Sequence, residues 1–249
     1  VRPGPVNPPR GTAAPPRGPV LVTAAARFYA GRLRRSPEAQ AYLRSRGIRP
    51  ETARRLGLGY APGSGLRAHL AEAGYAPERV RRSGLFTDAG ERFAGMVVVP
   101  DLAAGERVRW LAGRAVDPER SPRFQAMPGP KPVLGTGRLG PAPPWVVLTE
   151  GLFDWLALAQ WGVPACAALG TQGAERIAAT LAGCSRIFLA FDVDDAGRSA
   201  AERFTQLLGC KAAVVNLPNE AADVADLATR PHGYATFRRL LTQAARAAA

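Results

Sequence analysis

Two stretches in the last part of the chain decide its fold, and each runs from apolar residues into an acid. Residues 145–151 read Trp-Val-Val-Leu-Thr-Glu-Gly, and residues 187–194 read Ile-Phe-Leu-Ala-Phe-Asp-Val-Asp. Apolar runs of this length with β-branched and aromatic side chains are typical of buried strands in a parallel sheet. An acid just past such a strand lies at its carboxyl end, where open α/β sheets place their sites. The pattern predicts an acidic site on a parallel sheet.

The acids of this region recur in an order that favours a bound cation. They are Glu150, Asp154, Asp192, Asp194, Asp223 and Asp226. Clustered carboxylates repel one another unless a cation lies between them, and their hard oxygen ligands suit Mg²⁺ or Mn²⁺. Both ions suit phosphate chemistry. We therefore expect a divalent metal site, with Asp192 and Asp194 able to reach one cation if the chain turns there.

After residue 144, strand-like and helix-like segments alternate. The predicted strands are 145–149, 163–168, 185–191 and 211–217. The predicted helices are 153–161, 173–182, 196–208, 222–229 and 233–247. This alternation predicts a small, mostly parallel sheet covered by helices, which we assign to a module at 143–249.

The first part of the chain has a different organisation. Residues 1–19 are rich in Pro, Arg and Gly and predict a disordered arm. Order is predicted to begin near Thr23, as a helix N-cap, and three short helices follow that each start at a Pro-Glu pair, with another helix at 66–73. Strands are predicted at 93–99 and 107–112, with a turn at 103–105. These segments predict a mixed α+β module at 20–142.

The two modules differ in charge. Residues 1–142 hold 24 Lys and Arg against 10 Asp and Glu, whereas residues 143–249 hold 9 against 10. A basic module joined to an acidic metal site indicates that the first holds a polyanion and the second processes it.

The spacing of the cysteines and the hydropathy of the chain indicate the cellular compartment. Cys166, Cys184 and Cys210 form no C-x-x-C pair, so we expect no zinc site in this chain and read the cysteines as thiols of a reducing cytosol. No apolar run approaches the roughly 20 residues that span a bilayer. We expect a cytoplasmic protein with no membrane partner.

Three motifs of the second module resemble a Toprim domain, the metal-binding fold shared by bacterial-type primases, topoisomerases and certain nucleases. They are Thr-Glu-Gly-Leu-Phe-Asp at 149–154, Leu-Gly-Thr at 169–171 and Phe-Asp-Val-Asp-Asp-Ala-Gly-Arg at 191–198. The resemblance implies that Glu150, Asp192 and Asp194 are the catalytic metal ligands. Asp154 matches the second acid of the first motif. Gly151 allows a tight turn after Glu150, and Gly197 lets the next helix start close to the site.

The order of further motifs resembles the catalytic core of a bacterial-type DNA primase over about residues 24–230. These motifs lie at 41–48, 58–62, 83–85, 91–93, 99–101, 112–114, 131–135 and 223–227. The resemblance implies that Asp154, Asp223 and Asp226 bind a further metal or the triphosphate-bound ion. It also implies that Arg92, Arg114 and Lys131 hold phosphates of template or nucleotide, and Arg198 could face a triphosphate.

The implied activity is synthesis of short RNA primers from ribonucleoside triphosphates (NTPs) on single-stranded DNA, at the replication fork. Two or more Mg²⁺ or Mn²⁺ ions would lower the pKa of the attacking 3′-hydroxyl and steady the leaving pyrophosphate. The family's zinc-binding module and helicase-binding domain are not found in the sequence. The chain is therefore either a fragment or a stand-alone relative, and partners would include a replicative helicase or a zinc module acting in trans.

Two departures and two alternatives stay open. Ala94 stands where the family usually has a second basic residue, and Trp110 stands where it favours a small or aromatic glycine-flanked position. The alternatives are a Toprim nuclease or topoisomerase-like enzyme, and a non-catalytic protein that binds single-stranded nucleic acid. The first needs a tyrosine nucleophile from a separate domain or an attached ATPase, and the sequence has no G-x-x-x-x-G-K-[ST] loop.

Overall fold

The computed structural model describes residues 20–103, 107–140, 143–170 and 172–248, so the arm predicted at 1–19 lies outside the described residues. Helices of the first part are α1 (Leu21–Leu33), α2 (Pro37–Ser45), α3 (Pro50–Arg55), α4 (Leu66–Glu72) and α5 (Pro77–Arg81). The predicted Pro-Glu start is confirmed in α2, α3 and α5, whose first residue is proline. Proline loses no helical hydrogen bond there, and the neighbouring glutamate complements the helix dipole.

Two short strands and one larger sheet complete the first part. β1 (Gly59–Ala61), β4 (Met96–Leu102), β5 (Val108–Ala115) and β6 (Phe124–Ala126) form an antiparallel sheet in the order β1-β4-β5-β6. β2 (Phe86–Thr87) and β3 (Gly90–Glu91) form a separate hairpin. The central strand β4 is buried on both faces, because Val98 packs on the α1 side and Val97 and Val99 pack on the other.

Three predictions for the first part need correction. The strand expected from residue 93 begins at Met96, because the backbone turns at Gly95, which has φ +68°. The next strand covers 108–115 instead of 107–112, and the predicted turn at 103–105 lies partly outside the described residues. Thr23 does not start α1 but lies inside it, where its Oγ1 accepts a hydrogen bond from the Val108 backbone N–H at 3.0 Å.

The second part has the predicted alternation. Its elements are β7 (Trp145–Thr149), α6 (Leu152–Gln160), β8 (Ala165–Ala167), α7 (Ala174–Thr180), β9 (Arg186–Ala190), α8 (Asp195–Leu208), β10 (Ala212–Val214), α9 (Val224–Thr229) and α10 (Gly233–Ala247). The strands pair in parallel in the order β10-β9-β7-β8, which confirms the predicted parallel sheet. The last strand is shorter than the expected 211–217.

The strand order creates a place for a site. The chain passes from β7 to β8 on one side and returns to β9 on the other side of β7. Helices that leave the carboxyl ends of β7 and β9 therefore diverge, and ligands of open α/β sheets bind in the resulting crevice. Glu150 follows β7 and Asp192 follows β9, so both acids lie at this crevice.

The two parts share one of the buried hydrophobic clusters of the protein. Leu43 and Ile48 from the first part share a buried cluster with Leu152, Phe153 and other residues of the second. The segment before residue 142 also reaches the second sheet, because Leu134 forms an antiparallel bridge with Ala167 of β8. Among the described residues, no helix is both long and apolar enough to cross a membrane.

Candidate active site

A cavity of about 320 Å³ lies where the first part faces the carboxyl ends of β7 and β9, and we call it the acidic cleft. Its acidic lining consists of Glu150, Asp154, Asp192 and Asp223. Its other lining side chains include Arg46, Arg114, Phe124, Lys131 and Phe153. The cleft therefore combines carboxylates from the second part with cations that all come from before residue 132.

Three carboxylates converge at the base of the cleft. Asp154, Asp192 and Asp223 each offer one oxygen, and these oxygens all lie within 4.8 Å of one another. Asp154 is buried in the first turn of α6, Asp192 follows β9, and Asp223 precedes α9. Residues that are far apart in sequence thus form one cluster of oxygen ligands.

Burial and mutual repulsion make these acids hard to ionise. The pKa of Asp154 rises to about 7, first because the side chain is buried and then because Asp223 and Asp192 lie nearby. Burial raises the pKa of Asp192 to about 6, with Glu150, Asp223 and Asp194 adding to the effect. The pKa of Glu150 is also raised, by burial and by Asp194. A cation among these groups would relieve the repulsion.

The backbone around Asp154 fixes its orientation. Its Oδ1 accepts a hydrogen bond from the Ala225 N–H at 2.8 Å, which ties α6 to the start of α9. Its other oxygen lies where a side chain on residue 151 would begin. The tight-turn role predicted for Gly151 is therefore corrected, because its φ of −93° suits any residue and its missing Cβ instead leaves room for the Asp154 carboxylate.

Asp194 begins the helix that follows Asp192. Its Oδ1 accepts a hydrogen bond from the Gly197 N–H at 2.7 Å, so it is the N-cap of α8, and its side chain is exposed. Asp194 is outside the group of three converging carboxylates. The prediction that Gly197 lets the helix start close to the site is confirmed, because a Cβ there would overlap the carbonyl oxygen of Asp192.

Asp223 and Asp226 have different surroundings. Asp223 caps α9 by accepting a hydrogen bond from the Asp226 N–H at 2.5 Å while it also faces the cleft. Asp226 accepts hydrogen bonds from the Ala222 N–H and from Arg230, and these bonds lower its pKa. Asp226 therefore does not join the converging carboxylates.

The predicted basic residues separate into two groups. Arg114 and Lys131 line the acidic cleft, where the Lys131 ammonium donates to the Leu169 carbonyl at 2.9 Å. Arg92 does not line it, and its Nε donates to the Gly84 carbonyl at 2.6 Å. Arg198 is also outside the cleft lining and pairs with Asp195.

Arg46 and Phe124 line the cleft without having been singled out from the sequence. The Arg46 guanidinium lies over the Phe153 ring, 4.9 Å from its centre, and its buried Nε has no hydrogen-bond partner among the described residues. The Lys131 ammonium lies 5.2 Å from the centre of the Phe124 ring. Gly47, with φ +74°, ends α2 just after Arg46, but this local signal does not indicate which part of the molecule the Arg46 side chain faces.

The donor set of the cleft fits a hard divalent cation. Asp154, Asp192 and Asp223 provide carboxylate oxygens only, and neither cysteine nor histidine lines the cleft within the described chain. Oxygen-only sites suit Mg²⁺ or Mn²⁺ better than ions that prefer sulfur or imidazole. Arg46, Arg114 and Lys131 at the same cleft suit an anionic substrate.

Comparison with known proteins covers both parts of the chain. A family model described as DNA primase catalytic core, N-terminal domain, matches residues 28–128, and a Toprim-like model matches residues 147–228. The DNA primase of Pseudomonas aeruginosa is 32% identical over 254 residues, which cover 90% of this chain and 38% of the relative. The chain spans between 32% and 42% of the length of eight curated DNA primases that match it.

Solved structures of DNA primases have the same fold as this chain. A DNA primase domain from Pseudomonas aeruginosa is 29% identical with a TM-score of 0.73, and the match covers 90% of this chain and 77% of that one. A DnaG primase catalytic domain has the same fold, with a TM-score of 0.74, 24% identity and the same two coverages. The two family-model matches, together with the curated DNA primases that are similar to both parts of the chain, place this chain in the family of bacterial-type DNA primases.

Proposed function

We propose that this chain is the catalytic core of a primase that joins ribonucleotides into short RNA primers on a single-stranded DNA template. The observation that carries the proposal is the acidic cleft itself, where Asp154, Asp192 and Asp223 converge opposite Arg46, Arg114 and Lys131. Phosphoryl transfer needs both the carboxylates and the cations, because its catalysis consists of positioning phosphates and stabilising charge. In support, the DnaG catalytic domain with the same fold was solved bound to single-stranded DNA.

The carboxylates would hold the metal. Asp154, Asp192 and Asp223 would hold Mg²⁺ or Mn²⁺, and Glu150 and Asp194 would extend the negative field around them. When bound, such ions activate a hydroxyl for attack and neutralise charge on a leaving pyrophosphate. The proposed ligand roles of Glu150, Asp194 and Asp226 rest on the family resemblance.

The cationic wall would hold the nucleotide. Arg46 and Arg114 can bind phosphate oxygens in pairs, whereas Lys131 offers a compact charge that already contacts the Leu169 carbonyl. Such contacts position a substrate without reading its sequence. Arg92 and Arg198 would contact the DNA or triphosphate beyond the cleft. We place the protein at the replication fork, with a helicase or a zinc-binding module as partners.

Label incorporation tests the proposal. Four proteins are supplied with labelled ribonucleoside triphosphates, single-stranded DNA and Mg²⁺ or Mn²⁺. They are wild type, Asp192→Ala, Asp194→Ala and the control Asp88→Ala, which changes an exposed turn outside the cleft. We expect metal-dependent oligoribonucleotides from wild type and the control, and a loss of at least about 100-fold in Asp192→Ala.

A pre-annealed primer separates initiation from chemistry. Extension of that primer by wild type alone would support the transfer centre even if no primer is started from single nucleotides. Absence of product from wild type in both formats, or full activity of Asp192→Ala, would refute the proposal. Mg²⁺-dependent DNA cleavage without added nucleotide would instead favour the nuclease alternative.

A further inference from the structure

A second cavity lies in the first part of the chain, away from the acidic cleft. It has a volume of about 470 Å³ and is formed by α1, α2 and α3. None of its lining residues lines the acidic cleft. We call it the arginine groove, and its apolar floor consists of Ala30, Leu33, Leu43, Ile48, Pro50, Ala53 and Leu58.

The charge of the groove is one-sided. Arg34, Arg44 and Arg54 line it, and its described lining residues include neither aspartate nor glutamate. Arg54 forms an exposed ion pair with Glu51, whereas Arg34 and Arg44 form none with the described part of the chain. Unpaired guanidiniums around an apolar floor favour a ligand that brings both carboxylates and apolar groups.

The groove continues along α1. A cavity of about 150 Å³ shares Ala30, Arg54 and Gly57 with it and adds Arg27 and Arg55 to the lining. Arg55 donates to the Ala159 carbonyl at 2.7 Å, and Arg27 is exposed. Several arginines therefore line two adjoining cavities that share residues of α1 and α3.

The floor distinguishes between anionic ligands. Proteins that bind single-stranded nucleic acid stack bases on aromatic side chains, and the described lining residues of the arginine groove contain none. Its floor is aliphatic and suits leucine-like side chains, as in grooves that receive the apolar face of a helix. We propose that the arginine groove is a docking site for an acidic, leucine-rich segment of a partner protein.

Fluorescence anisotropy tests this proposal with a defined probe. The probe is a fluorescein-labelled peptide of about fourteen residues, in which pairs of leucine alternate with pairs of glutamate so that a helix would present one apolar and one acidic face. A second peptide replaces every leucine with serine and keeps the charge. We expect saturable binding of the leucine peptide and at least tenfold weaker binding of the serine peptide.

Matched charge reversals locate the site. Arg34→Glu/Arg44→Glu changes the groove, whereas Arg239→Glu/Arg246→Glu changes exposed residues of α10 outside both cavities by the same charge. We expect at least a tenfold loss of peptide affinity in the first variant and less than a twofold change in the second. Circular dichroism and thermal melting check that each variant is folded, and Arg44→Glu alone replaces Arg34→Glu/Arg44→Glu if that double variant has unfolded.

Three results would overturn the proposal. The first is no saturable binding of the leucine peptide, and the second is equal binding of the serine peptide. The third is equal weakening by both charge reversals. Loss of affinity for labelled oligodeoxythymidine in Arg34→Glu/Arg44→Glu, without peptide binding to wild type, would make the groove a nucleic-acid site. Because these readouts measure peptide binding, they do not depend on primer synthesis.

Discussion

Asp194 combines two roles at the scale of a single residue. Its carboxylate caps α8 through the Gly197 N–H, and it also raises the pKa of Asp192 and Glu150. Serine caps a helix about as well as aspartate but carries no charge. A comparison of serine and alanine at this position therefore separates capping from metal binding.

We expect Asp194→Ala to lose about 1 kcal/mol of unfolding free energy, and Asp194→Ser to lose little. If Asp194 is a metal ligand, both variants should lose metal-dependent nucleotide incorporation. Urea unfolding measures the expected loss of stability, and the incorporation assay measures the expected loss of activity. Full activity of the serine variant would limit Asp194 to helix capping.

Asp154 gives a prediction about pH. Its pKa of about 7 lies above the unfolded value of about 3.9, so between these pH values the folded state binds more protons than the unfolded state. The contribution of Asp154 to the free energy of unfolding is therefore fully present below the unfolded pKa, and it falls as the pH rises toward 7. The expected loss is on the order of 1.4 kcal/mol for each unit of pKa shift.

The neutral variant Asp154→Asn isolates this effect, because its Oδ1 can still accept the Ala225 N–H. Both proteins are melted between pH 4 and pH 8 in a chelator. We expect wild type to lose stability relative to Asp154→Asn as the pH rises. Added Mg²⁺ or Mn²⁺ should restore the stability of wild type at high pH and leave the stability of Asp154→Asn nearly unchanged. Parallel melting curves at every pH would contradict the assigned pKa.

At the scale of elements, the start of α8 depends on one glycine. A Cβ on Gly197 would overlap the backbone carbonyl of Asp192, which cannot move as a flexible side chain could. Replacing glycine with alanine inside a helix usually gains about 0.8–1 kcal/mol. Here the overlap should outweigh that gain, because overpacking costs about 1–3 kcal/mol and the atoms are main chain.

We therefore expect Gly197→Ala to lower both stability and metal-dependent activity, because relieving the overlap would displace the Asp192 backbone. Ser199→Ala, at an exposed position of the same helix, is the matched control and should keep or slightly raise stability. Chemical denaturation and the incorporation assay measure both effects. A Gly197→Ala protein as stable and active as wild type would show that α8 can move away from the site.

At the scale of the whole molecule, the two parts are joined by more than apolar packing. The Gln160 side chain at the end of α6 donates to the Gly47 carbonyl at 2.9 Å and accepts from the Arg49 N–H at 2.8 Å. It thus holds the turn between α2 and α3 against the second part. Because Gly47 follows Arg46, this contact also supports one wall of the acidic cleft.

The shared core predicts one cooperative unfolding transition for both parts. We expect Gln160→Ala to lower the unfolding free energy by about 1–3 kcal/mol, since each lost hydrogen bond is worth about 0.5–1.5 kcal/mol. The exposed Gln243→Ala on α10 is the control and should change little. Two separate transitions in wild type, or no effect of Gln160→Ala, would contradict this description of the interface.

By itself, the sequence determined the parallel sheet, the Pro-Glu starts of α2, α3 and α5, and the position of acids after β7 and β9. These features depend on local rules: strand burial, proline in a first turn and alternation of strand and helix. Glu150 and Asp192 could be placed on neighbouring strands for that reason. Strand ends were less accurate, because β10 stops at Val214 although the apolar run continues to residue 217.

Only the tertiary structure decided which charged residues meet. Asp154 and Asp223 join Asp192 because α6 and α9 pack side by side, with the Ala225 N–H held by Asp154. Arg46 reaches the cleft because α2 packs on the second part, more than 100 residues away in sequence. Arg92 and Arg198 carry the expected charge but turn to other partners. Long-range packing sets these distances, and local sequence patterns contain no information about them.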